Sequence, residues 1–556
     1  MAELGGSRVD SNFLINLYRN RLYGLLLLLV LAYLLLPKFR RILHRVADRV
    51  NQTGEKVLTG ILFAISLLLS LCMIYQGKSW GGDYSQYFAQ ARALATGTLD
   101  SWYQKNSFII FNSVPGAIGS DVYPWLWAIL LLPFQLTIGL EAYTVLKIYS
   151  SLYLAGAVAL LFAIFRRRLQ PSKAFFLTCF LALNANYLFD INALDSDIPG
   201  FFFVVLSIFF IDRYLENRKL HLAVFSGVTM FLAVQCRSMS MTLLLALVCF
   251  DLLQTAALIV RRNVTRSKIW KNLGIVILPY LTYGVLTGIV NAILPRAGGT
   301  YGSYFTLDRS TLAFNLQIYF DVFSSYFGSD VNASSHLLTH VICLAVLITA
   351  IIGMVLIFVR QAKQGERHLD PDLFLIVYSC GTMVMLLLYE FFRTAFTFSV
   401  FPFLLLFSEM GFAALQRGIR NLPVRDFFRN AVAVLSIASL IVIFANSCAY
   451  IYAVRVRHFA LNDVTSEDAV DTFAYIRDNL NEDDVVFFFK PRVLYYYTGV
   501  SSYYWFDADH LDLADYVLIG PAGAEEKLMD KVKNPDFYTK VYQNDQFTLY
   551  QKSTNS

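Results

Sequence analysis

Charged side chains are scarce in this chain. Asp, Glu, Lys and Arg together make up 15% of its 556 residues, whereas a soluble protein of ordinary composition carries about a quarter. Hydrophobic residues account for 57%. Apolar runs of roughly 17–25 residues recur along the sequence, which is the length that a helix needs to cross a bilayer. The composition therefore predicts a polytopic α-helical membrane protein.

Further absences narrow the classes of fold and function. The seven cysteines form no Cys-x-x-Cys pair and no cluster with histidine, which excludes zinc fingers and a disulfide framework. The apolar segments are continuous and do not alternate residue by residue, which excludes a transmembrane β-barrel. No internal repeat is visible, and the charged residues gather at the ends of the apolar segments. Many transporters instead have internal repeats and carry ionisable residues in the middle of the membrane.

Lysine and arginine are concentrated in six stretches between apolar segments. These stretches lie near residues 38–56, 166–173, 213–219, 261–271, 360–367 and 417–429. Because basic loops stay in the cytoplasm, we expect all six on that side. The other connections, which include long ones at about 76–142 and 295–335, are then expected on the opposite side of the membrane.

The charge pattern also predicts where the chain crosses the membrane. The expected spans lie near 22–36, 57–75, 143–165, 174–190, 198–214, 220–235, 239–258, 273–294, 336–359, 373–391, 396–414 and 431–452. The first span is short and one further apolar run exists at 122–138, so we expect about 11–13 transmembrane helices. We interpret 122–138 as an interfacial or re-entrant helix, because Trp125 and Trp127 are typical of a membrane interface and Pro124 and Pro133 break helices.

The composition changes after the last predicted span. Residues 455–556 are rich in Asp and Glu and contain no cysteine. An amphipathic run at 467–480, with Val470 and Phe473 on one face, is followed by a helical stretch near 525–532. Short β-rich runs lie at 485–489, 516–519, 538–542 and 547–550. We therefore expect a transmembrane domain at 1–454 and a small extracytoplasmic α/β domain at 455–556.

Asp83 is the first candidate for chemistry. It follows Gly81 and Gly82, just after the span that ends near Tyr75. Its carboxylate is expected at the mouth of a membrane helix on the water side, where a base can meet a membrane-borne substrate. A helical run follows Asp83 and Asp is a favoured N-cap, so capping is the simpler interpretation of this residue taken alone. The two roles are compatible, because a cap also holds a carboxylate in place.

Asp195 and Asp197 form a second acidic site on the same predicted side. Two carboxylates at this spacing can share a divalent cation or bind sugar hydroxyls. Asp197 precedes Ile198 and Pro199, and proline near the first helical position makes a helix start an equally good explanation.

Arg237 and Arg393 lie in otherwise apolar connections on the outer side, where the charge bias disfavours arginine. A guanidinium binds phosphate well, so an anionic headgroup is one reason for such a residue. The alternative is a snorkelling arginine or a local ion pair, for example between Arg393 and Glu390. In the loop 295–335, aromatic residues accompany scattered charges such as Asp308 and Asp321, which suits either sugar stacking or a helix lying on the membrane.

Together these motifs resemble the GT-C superfamily of polytopic glycosyltransferases, in particular the branch that contains protein O-mannosyltransferases and the aminoarabinose transferases of lipid A. The resemblance covers roughly residues 57–556. The matching motifs are Asp83-Tyr84 with Tyr87, Ala91-Arg92-Ala93-Leu94 and Gly97, Arg166-Arg167-Arg168, Asp195-Ser196-Asp197, and Phe392-Arg393 ahead of Pro402.

The resemblance implies a GT-C fold and roles for some of these residues. Asp83 corresponds to the general base that deprotonates the acceptor hydroxyl. The donor phosphate and sugar are expected to bind at Arg237, Arg393, Asp195, Asp197, Tyr84 and Tyr87. The resemblance implies no obligatory cofactor and allows a divalent metal ion at Asp195 and Asp197.

The sequence also departs from the family patterns. Tyr84 follows Asp83 where protein O-mannosyltransferases have Glu, and neither a MIR-like insertion nor a Trp-Trp-Asp signature is present, so a protein acceptor is not indicated. The predicted function is an inverting glycosyltransferase that moves a sugar, a hexose or a pentose, from a polyprenyl-phosphate donor to a glycan or glycolipid acceptor. Its expected location is the bacterial inner membrane, with an extracytoplasmic site. The alternatives are a transporter or lipid flippase and a non-catalytic subunit of envelope assembly.

Overall fold

The computed structural model describes residues 37–114, 118–260, 266–297, 301–328, 337–364, 369–456, 463–521 and 526–553. Helices dominate the part before residue 456, and the predicted polytopic helical fold is confirmed. The predicted span at 22–36 lies outside the described residues.

Seventeen described α-helices precede the C-terminal part of the chain. The first are α1 (Pro37–Gln52), α2 (Glu55–Met73), α3 (Gly82–Thr96), α4 (Leu99–Asn112), α5 (Trp125–Thr137), α6 (Tyr143–Arg166), α7 (Pro171–Ala182), α8 (Ala185–Asp190) and α9 (Asp197–Asn217). They are followed by α10 (Leu220–Cys236), α11 (Met241–Val260), α12 (Arg266–Ile293), α13 (Arg309–Ser325), α14 (Leu337–Gln364), α15 (Asp372–Leu388), α16 (Phe401–Gly418) and α17 (Leu422–Arg455).

Within the described ranges, seven helices are long and apolar enough to cross a bilayer. They are α2, α6, α9, α17 and the larger parts of α11, α12 and α14. An eighth span is counted if α7 and the helix that follows it are one segment bent by 47°. The bend lies at Asn184, whose side chain accepts a hydrogen bond from the backbone N–H of Asn186 and so caps α8. The helices α10 and α15, at 17 residues each, are shorter apolar segments.

The surface of α2 shows how a spanning helix divides its residues between protein and lipid. Leu58, Leu62, Ser66 and Ser70 recur every four residues and are buried, because that spacing places side chains on one helix face. On another face Leu68 is 62% exposed. Exposed apolar side chains on a helix of this length are favourable in hydrocarbon and unfavourable in water.

Small residues let α14 and α16 approach closely. A Cβ atom on Gly353 would collide with the carbonyl group of Phe407. A Cβ atom on Gly411 would likewise collide with the carbonyl group of Thr349. The hydroxyls of Thr349 and Ser408 also share a hydrogen bond of 2.7 Å across this contact. Close packing of small residues with interhelical hydrogen bonds is the usual mode of helix association in membranes.

Ion pairs join α6, α9 and α15 at the helix ends that carry predicted cytoplasmic arginines. Arg168 lies 2.5 Å from Asp212 and 2.5 Å from Asp372, and Arg167 lies 2.7 Å from Asp212. The Arg168 and Asp212 side chains are buried. We call Arg167, Arg168, Asp212 and Asp372 the helix-end cluster. It lies about 22 Å along α9 from Asp197, given a rise of about 1.5 Å per residue.

The helix α5 has 13 residues, which is too short to cross the membrane. Its two tryptophans are buried in protein. The indole N–H of Trp125 donates to the carbonyl of Pro295 at 2.8 Å, and that of Trp127 donates to the carbonyl of Leu194 at 3.1 Å. These indoles fasten α5 to neighbouring protein segments, and the interfacial or re-entrant position of α5 stays a prediction.

After α17 the described chain resumes at Asp463 and forms an α/β region up to Ser553, which we call the C-terminal α/β region. Its elements are α18 (Glu467–Asn479), β1 (Val485–Phe487), α19 (Pro491–Thr498), β2 (Ser501–Tyr503), β3 (Tyr516–Ile519), α20 (Glu526–Lys533), β4 (Tyr538–Gln543) and β5 (Thr548–Lys552). The five strands form one sheet in the order β2-β1-β3-β5-β4. β1 pairs in parallel with β2 and β3, and β5 pairs antiparallel with β3 and β4.

The predicted runs correspond to α18, α20, β1, β3, β4 and β5, whereas the sequence does not predict α19 and β2. The residues of α19 are strand-like in type, since Val493 and Leu494 are followed by three tyrosines. Two backbone features make the segment a helix. Pro491 occupies its first turn, and Gly499 ends it in the left-handed conformation at φ 76°. In α18, Phe473 is buried as expected, but Val470 is 52% exposed.

Candidate functional site

Asp83 is the second residue of α3, and its side chain does not cap the helix. The N-cap residue is Gly81, with no side-chain hydrogen bond. Asp83 Oδ1 instead accepts a hydrogen bond of 2.7 Å from the hydroxyl of Tyr123, and Oδ2 lies 3.4 Å from Arg393 Nη1. The Asp83 side chain is 43% exposed. A held, partly exposed carboxylate has the geometry of a base that an incoming hydroxyl can reach.

Three further aspartates lie close together where α8 ends and α9 begins. The turn between these helices contains Leu194 at φ 55°, a left-handed conformation that costs a non-glycine residue energy. Asp195 Oδ1 accepts the backbone N–H of Asp197 at 3.1 Å, so Asp195 does serve the start of α9. Carboxylate oxygens of Asp190, Asp195 and Asp197 lie within 4.8 Å of one another.

Arg393 joins these aspartates to Asp83. Its guanidinium lies 2.6 Å from Asp195 and 2.8 Å from Asp197. Asp190 lies 3.8 Å away. Among the described ion pairs of Arg393, the local pair with Glu390 that the sequence allows does not occur. Arg393 therefore supplies the positive charge that holds four carboxylates at one site.

The charges of this site also change its proton affinities. Burial raises the pKa of Asp195, but the guanidinium groups of Arg393 and Arg237 outweigh burial and hold that pKa below its ordinary value. Burial by itself lowers the pKa of Arg393, but the carboxylates of Asp195 and Asp197 reverse this and raise it well above its ordinary value. Both residues are therefore charged at neutral pH.

Arg237 approaches the aspartates from the other side. Its Nη1 lies 2.6 Å from Asp197 Oδ1 and donates to Ser196 Oγ at 3.3 Å. The hydroxyl of Tyr87 donates to the same Ser196 oxygen at 2.8 Å. The predicted residues Asp195, Asp197, Arg237, Arg393 and Tyr87 are thus brought together. We call Asp83, Asp190, Asp195, Asp197, Arg237 and Arg393 the site cluster.

Lys78 belongs to the same neighbourhood although no sequence motif includes it. The residue is 1% exposed. Its ammonium group lies 4.2 Å from the centre of the Tyr84 ring. Burial lowers the pKa of Lys78 to about 8, against the opposing charge of Asp195. Tyr84, which the resemblance predicts to bind the sugar donor, is itself 1% exposed. Its ring contacts the ammonium group of Lys78.

A small, mostly apolar cavity lies beside Arg237 and Asp197. Its walls come from α9, α15 and the turn after Arg393, and its lining includes Gly200, Phe201, Val204, Met385, Phe396 and Phe398. The guanidinium of Arg237 lies 4.9 Å from the centre of the Phe396 ring. A cation beside apolar side chains is suited to the anionic head of an amphiphile.

The aspartates between α8 and α9 also provide the kind of ligand atoms that a divalent cation prefers. Ca²⁺, Mg²⁺ and Mn²⁺ prefer oxygen ligands, and Asp190, Asp195 and Asp197 provide three carboxylates. Arg393 already places positive charge among the same groups. The three carboxylates could hold a metal ion. Without an ion, the guanidinium of Arg393 compensates much of their negative charge.

In the described part of the loop 295–335, Asp308 and Asp321 do not join the site cluster. Asp308 caps α13, where it accepts the backbone N–H groups of Ser310 and Thr311. Asp321 lies 3.0 Å from His340. Neither carboxylate is a partner of Arg393 among the described contacts.

Comparisons with known proteins bear on the fold. No protein-family profile and no curated protein sequence matches the chain. Among solved structures, ArnT from Cupriavidus metallidurans bound to undecaprenyl phosphate is similar at a TM-score of 0.50 and 11% identity, covering 89% of this chain and 98% of ArnT. Apo ArnT gives 0.49 at 10% identity, covering 90% and 98%.

The archaeal oligosaccharyltransferase AglB from Archaeoglobus fulgidus, in complex with an inhibitory peptide and a dolichol-phosphate, gives a TM-score of 0.47 at 12% identity. That match covers 90% of this chain and 74% of AglB. Identity at these levels speaks only to the fold. The resemblance predicted from the motifs is confirmed at that level: this integral membrane chain has the fold of the GT-C glycosyltransferases.

Proposed function

We propose that the protein is an inverting glycosyltransferase that moves a sugar from a polyprenyl-phosphate donor to a glycan or glycolipid acceptor. The observation that carries this proposal is the arrangement around Arg393. One guanidinium contacts the exposed carboxylate of Asp83 on one side and the buried carboxylates of Asp195 and Asp197 on the other. A base and a phosphate-binding cation are thereby held within one side-chain length of each other.

In the proposed reaction Asp83 takes the proton of the acceptor hydroxyl. The hydroxyl oxygen attacks the anomeric carbon from the face opposite the phosphate. A new glycosidic C–O bond forms as the bond between the anomeric carbon and the phosphate oxygen breaks, and the configuration inverts. The polyprenyl phosphate leaves with the bonding electron pair, and the proton remains on Asp83 until water removes it.

Arg237 and Arg393 are the proposed partners of the departing phosphate. Positive charge beside a group that gains negative charge lowers the barrier most when it is already in place, and the aspartates hold both guanidinium groups there. Lys78 adds a third cation nearby. ArnT, whose structure holds undecaprenyl phosphate, has the same fold and supports a donor of this class.

A divalent ion at Asp190, Asp195 and Asp197 would add further positive charge near the leaving phosphate. The step described above does not require that ion, because the arginines supply charge of the same sign. Asp195, Asp197 and Tyr87 then serve as the residues that orient the arginines and face the donor sugar.

We place the site on the extracytoplasmic side of the bacterial inner membrane. The helix-end cluster, with the basic residues at 166–168, lies at the far ends of α6 and α9 from Asp83. Basic helix ends favour the cytoplasm, so the site at the other end faces outward. The C-terminal α/β region is then an exported domain, with the transmembrane domain at 1–454 and the soluble domain at 455–556.

The test compares the envelope glycans and glycolipids of cells with and without the gene. The proposal expects one sugar to be missing from one glycan or lipid, which would identify both donor and acceptor. Asp83→Asn should fail to restore that sugar at equal abundance of the protein in the membrane. Its rate of transfer should fall by at least about 100-fold, because general-base catalysis contributes about 10²–10⁴-fold.

Asp100→Asn is the matched control. Asp100 is also the second residue of a helix in the same loop, α4, and it is exposed, but none of its described contacts reaches the site cluster. It should restore the sugar fully. Unchanged glycans in the deletion strain, or full restoration by Asp83→Asn, would refute the transferase and favour a transporter or an assembly subunit.

Binding of the donor head group is tested separately. Undecaprenyl phosphate is the probe, because it is the product that the reaction would release. Its affinity for purified Arg237→Gln should fall by about 10- to 100-fold, the loss of one charge-assisted contact to phosphate. Equal affinity of this variant and the wild type would show that Arg237 does not bind the donor phosphate.

A further inference from the structure

The C-terminal α/β region packs directly on the segment that leads into Asp83. Trp80, three positions before Asp83, inserts into an aromatic cluster of that region. Its ring centre lies 5.5–6.0 Å from those of four phenylalanines, namely Phe473, Phe488, Phe489 and Phe547. The backbone N–H of Val464 also donates to the carbonyl of Lys78 at 3.0 Å. The loop before α3 is therefore held from the C-terminal side.

A third contact comes from Arg492 on α19. The residue is 3% exposed. Its Nη1 donates to the hydroxyl oxygen of Tyr123 at 2.9 Å, and its Nη2 donates to the carbonyl of Ser120 at 2.5 Å. The guanidinium also lies 4.9 Å from the centre of the Tyr123 ring. Tyr123 in turn donates to Asp83 Oδ1 at 2.7 Å, so hydrogen bonds connect Arg492 to Asp83 through one residue.

The direction of these hydrogen bonds follows from what each group can donate. A guanidinium has only N–H donors, and a phenol has one O–H donor and can also accept. Because Arg492 donates to the oxygen of Tyr123, that oxygen acts as the acceptor, and its single hydrogen can point at Asp83. Arg492 therefore orients the Tyr123 hydroxyl, and the hydroxyl orients the carboxylate.

The space around that hydroxyl is also restricted. Gly119 adopts φ +83°, and a Cβ atom there would come within 2.8 Å of Tyr123 Oη. Only glycine combines this backbone conformation with room for the phenol. The loop before α5 is thus shaped to admit the Tyr123 hydroxyl beside Arg492.

We propose that Arg492 is a positioning residue for Asp83, acting through Tyr123, and that the C-terminal α/β region completes the active site in this way. The proposal rests on the proposed role of Asp83 as the base. Arg492 touches neither substrate in this scheme. Its loss changes the orientation of the base and leaves the donor site at Arg237 and Arg393 intact.

The experiment measures kcat and KM of the full-length purified protein with the donor and acceptor identified by the glycan comparison. Arg492→Gln should lower kcat by about 10- to 100-fold, since a displacement of about 1 Å can cost about 10²-fold. The KM for the lipid donor should stay within about twofold. Arg492→Lys, which keeps a buried cation, should recover part of the lost kcat.

A double-mutant cycle separates positioning from general loss of structure. Tyr123→Phe should also lower kcat, and adding Arg492→Gln to it should cost little more, because Arg492 acts through the missing hydroxyl. Arg92→Gln is the matched control at the same contact. Arg92 donates to the carbonyl of Tyr496 at 2.8 Å and stacks on its ring, so it binds α19 without reaching Asp83, and its variant should keep kcat.

The outcomes distinguish this inference from the function on which it rests. If Asp83→Asn is inactive and Arg492→Gln keeps the wild-type kcat, the positioning role is refuted and the transferase stands. The role is also refuted if Arg492→Gln costs the same in the Tyr123→Phe protein as in the wild type. If Arg492→Gln does not fold, Arg492→Lys and Tyr123→Phe decide by the same kcat and KM criterion. If Asp83→Asn is active, both proposals fail together.

Discussion

The two ends of α9 carry charged clusters of similar composition and different character. At its C-terminal end the helix-end cluster pairs Arg167 and Arg168 with Asp212, and the Asp212 side chain is 2% exposed. At its N-terminal end the site cluster pairs Arg237 and Arg393 with Asp197. That cluster extends to Asp83, which is 43% exposed.

The difference lies in what remains accessible. In the helix-end cluster the groups satisfy one another and tie three helices together, so no ligand is needed to balance them. In the site cluster one carboxylate is open to solvent, and a small, mostly apolar cavity lies beside one arginine. Buried arginine–aspartate pairs alone therefore do not mark a site. A partly exposed member and an adjoining cavity do.

Arg393→Gln should produce the largest effect. It removes the cation that contacts four carboxylates, so transfer should fall by at least about 1,000-fold, combining lost phosphate stabilisation with lost order of the base. The carboxylates left without Arg393 should also bind a divalent cation more readily. Transfer assays and thermal unfolding with and without Mn²⁺ measure the two effects.

The manganese response sharpens the comparison. Mn²⁺ at millimolar concentration should stabilise Arg393→Gln against unfolding more than it stabilises the wild type. Arg168→Gln should be stabilised less by Mn²⁺ than Arg393→Gln, because Arg167 still pairs with Asp212 and the helix-end cluster offers two carboxylates where the site cluster offers four. A wild-type response equal to that of Arg393→Gln would show that Arg393 does not take the place of a metal ion.

Asp212→Asn should affect stability and not chemistry. It removes the carboxylate that Arg167 and Arg168 share, but Arg168 keeps Asp372 as a partner, so the free energy of unfolding should fall by about 1–3 kcal/mol. The kcat and KM of the folded fraction should not change. Thermal unfolding in detergent and kinetics on the same sample provide both values.

Lys78 should give the smallest effect, in the form of a pH dependence. Its pKa is lowered to about 8, so Lys78 is charged below that pH and neutral above it. Affinity for undecaprenyl phosphate should fall as pH rises through about 8, by about fivefold or about 1 kcal/mol. Lys78→Met should bind with the weaker affinity at every pH and lose this transition.

Lys105→Met is the control for the pH dependence, because Lys105 contacts the carbonyl of Gly499 and not the site cluster. It should keep the transition near pH 8. A Lys78→Met protein that kept the same transition would show that another group causes it.

Much of the helical fold was predictable because long apolar runs have few structures available to them in a bilayer. The predicted spans match α2, α6 and α9 to within a few residues. The errors have local causes. Asn184 interrupts a continuous apolar run with a helix cap, and the strand-like residues of α19 form a helix between Pro491 and Gly499.

The site was only partly predictable. Asp195 and Asp197 are two residues apart, and Arg237 and Arg393 stand out as arginines in outer, apolar connections. Lys78, Tyr123 and Arg492 have no such signal. Arg492 and Tyr123 are 369 residues apart in the chain, and a tyrosine or arginine in an aromatic-rich segment is an ordinary occurrence. Nothing in their neighbours indicates a shared hydrogen bond.

The sequence by itself determined the class of the protein, the placement of basic residues at one set of helix ends and the set of charges available at the other. These features follow from the length of the apolar runs and from the cost of placing charge in hydrocarbon. Both depend on short stretches of sequence. Tertiary structure decided that Asp83 is held by Tyr123 and Arg393 and does not cap its helix. The reason is that the partner of a charged side chain is set by distance in space, and Asp83 and Arg393 are 310 residues apart in sequence.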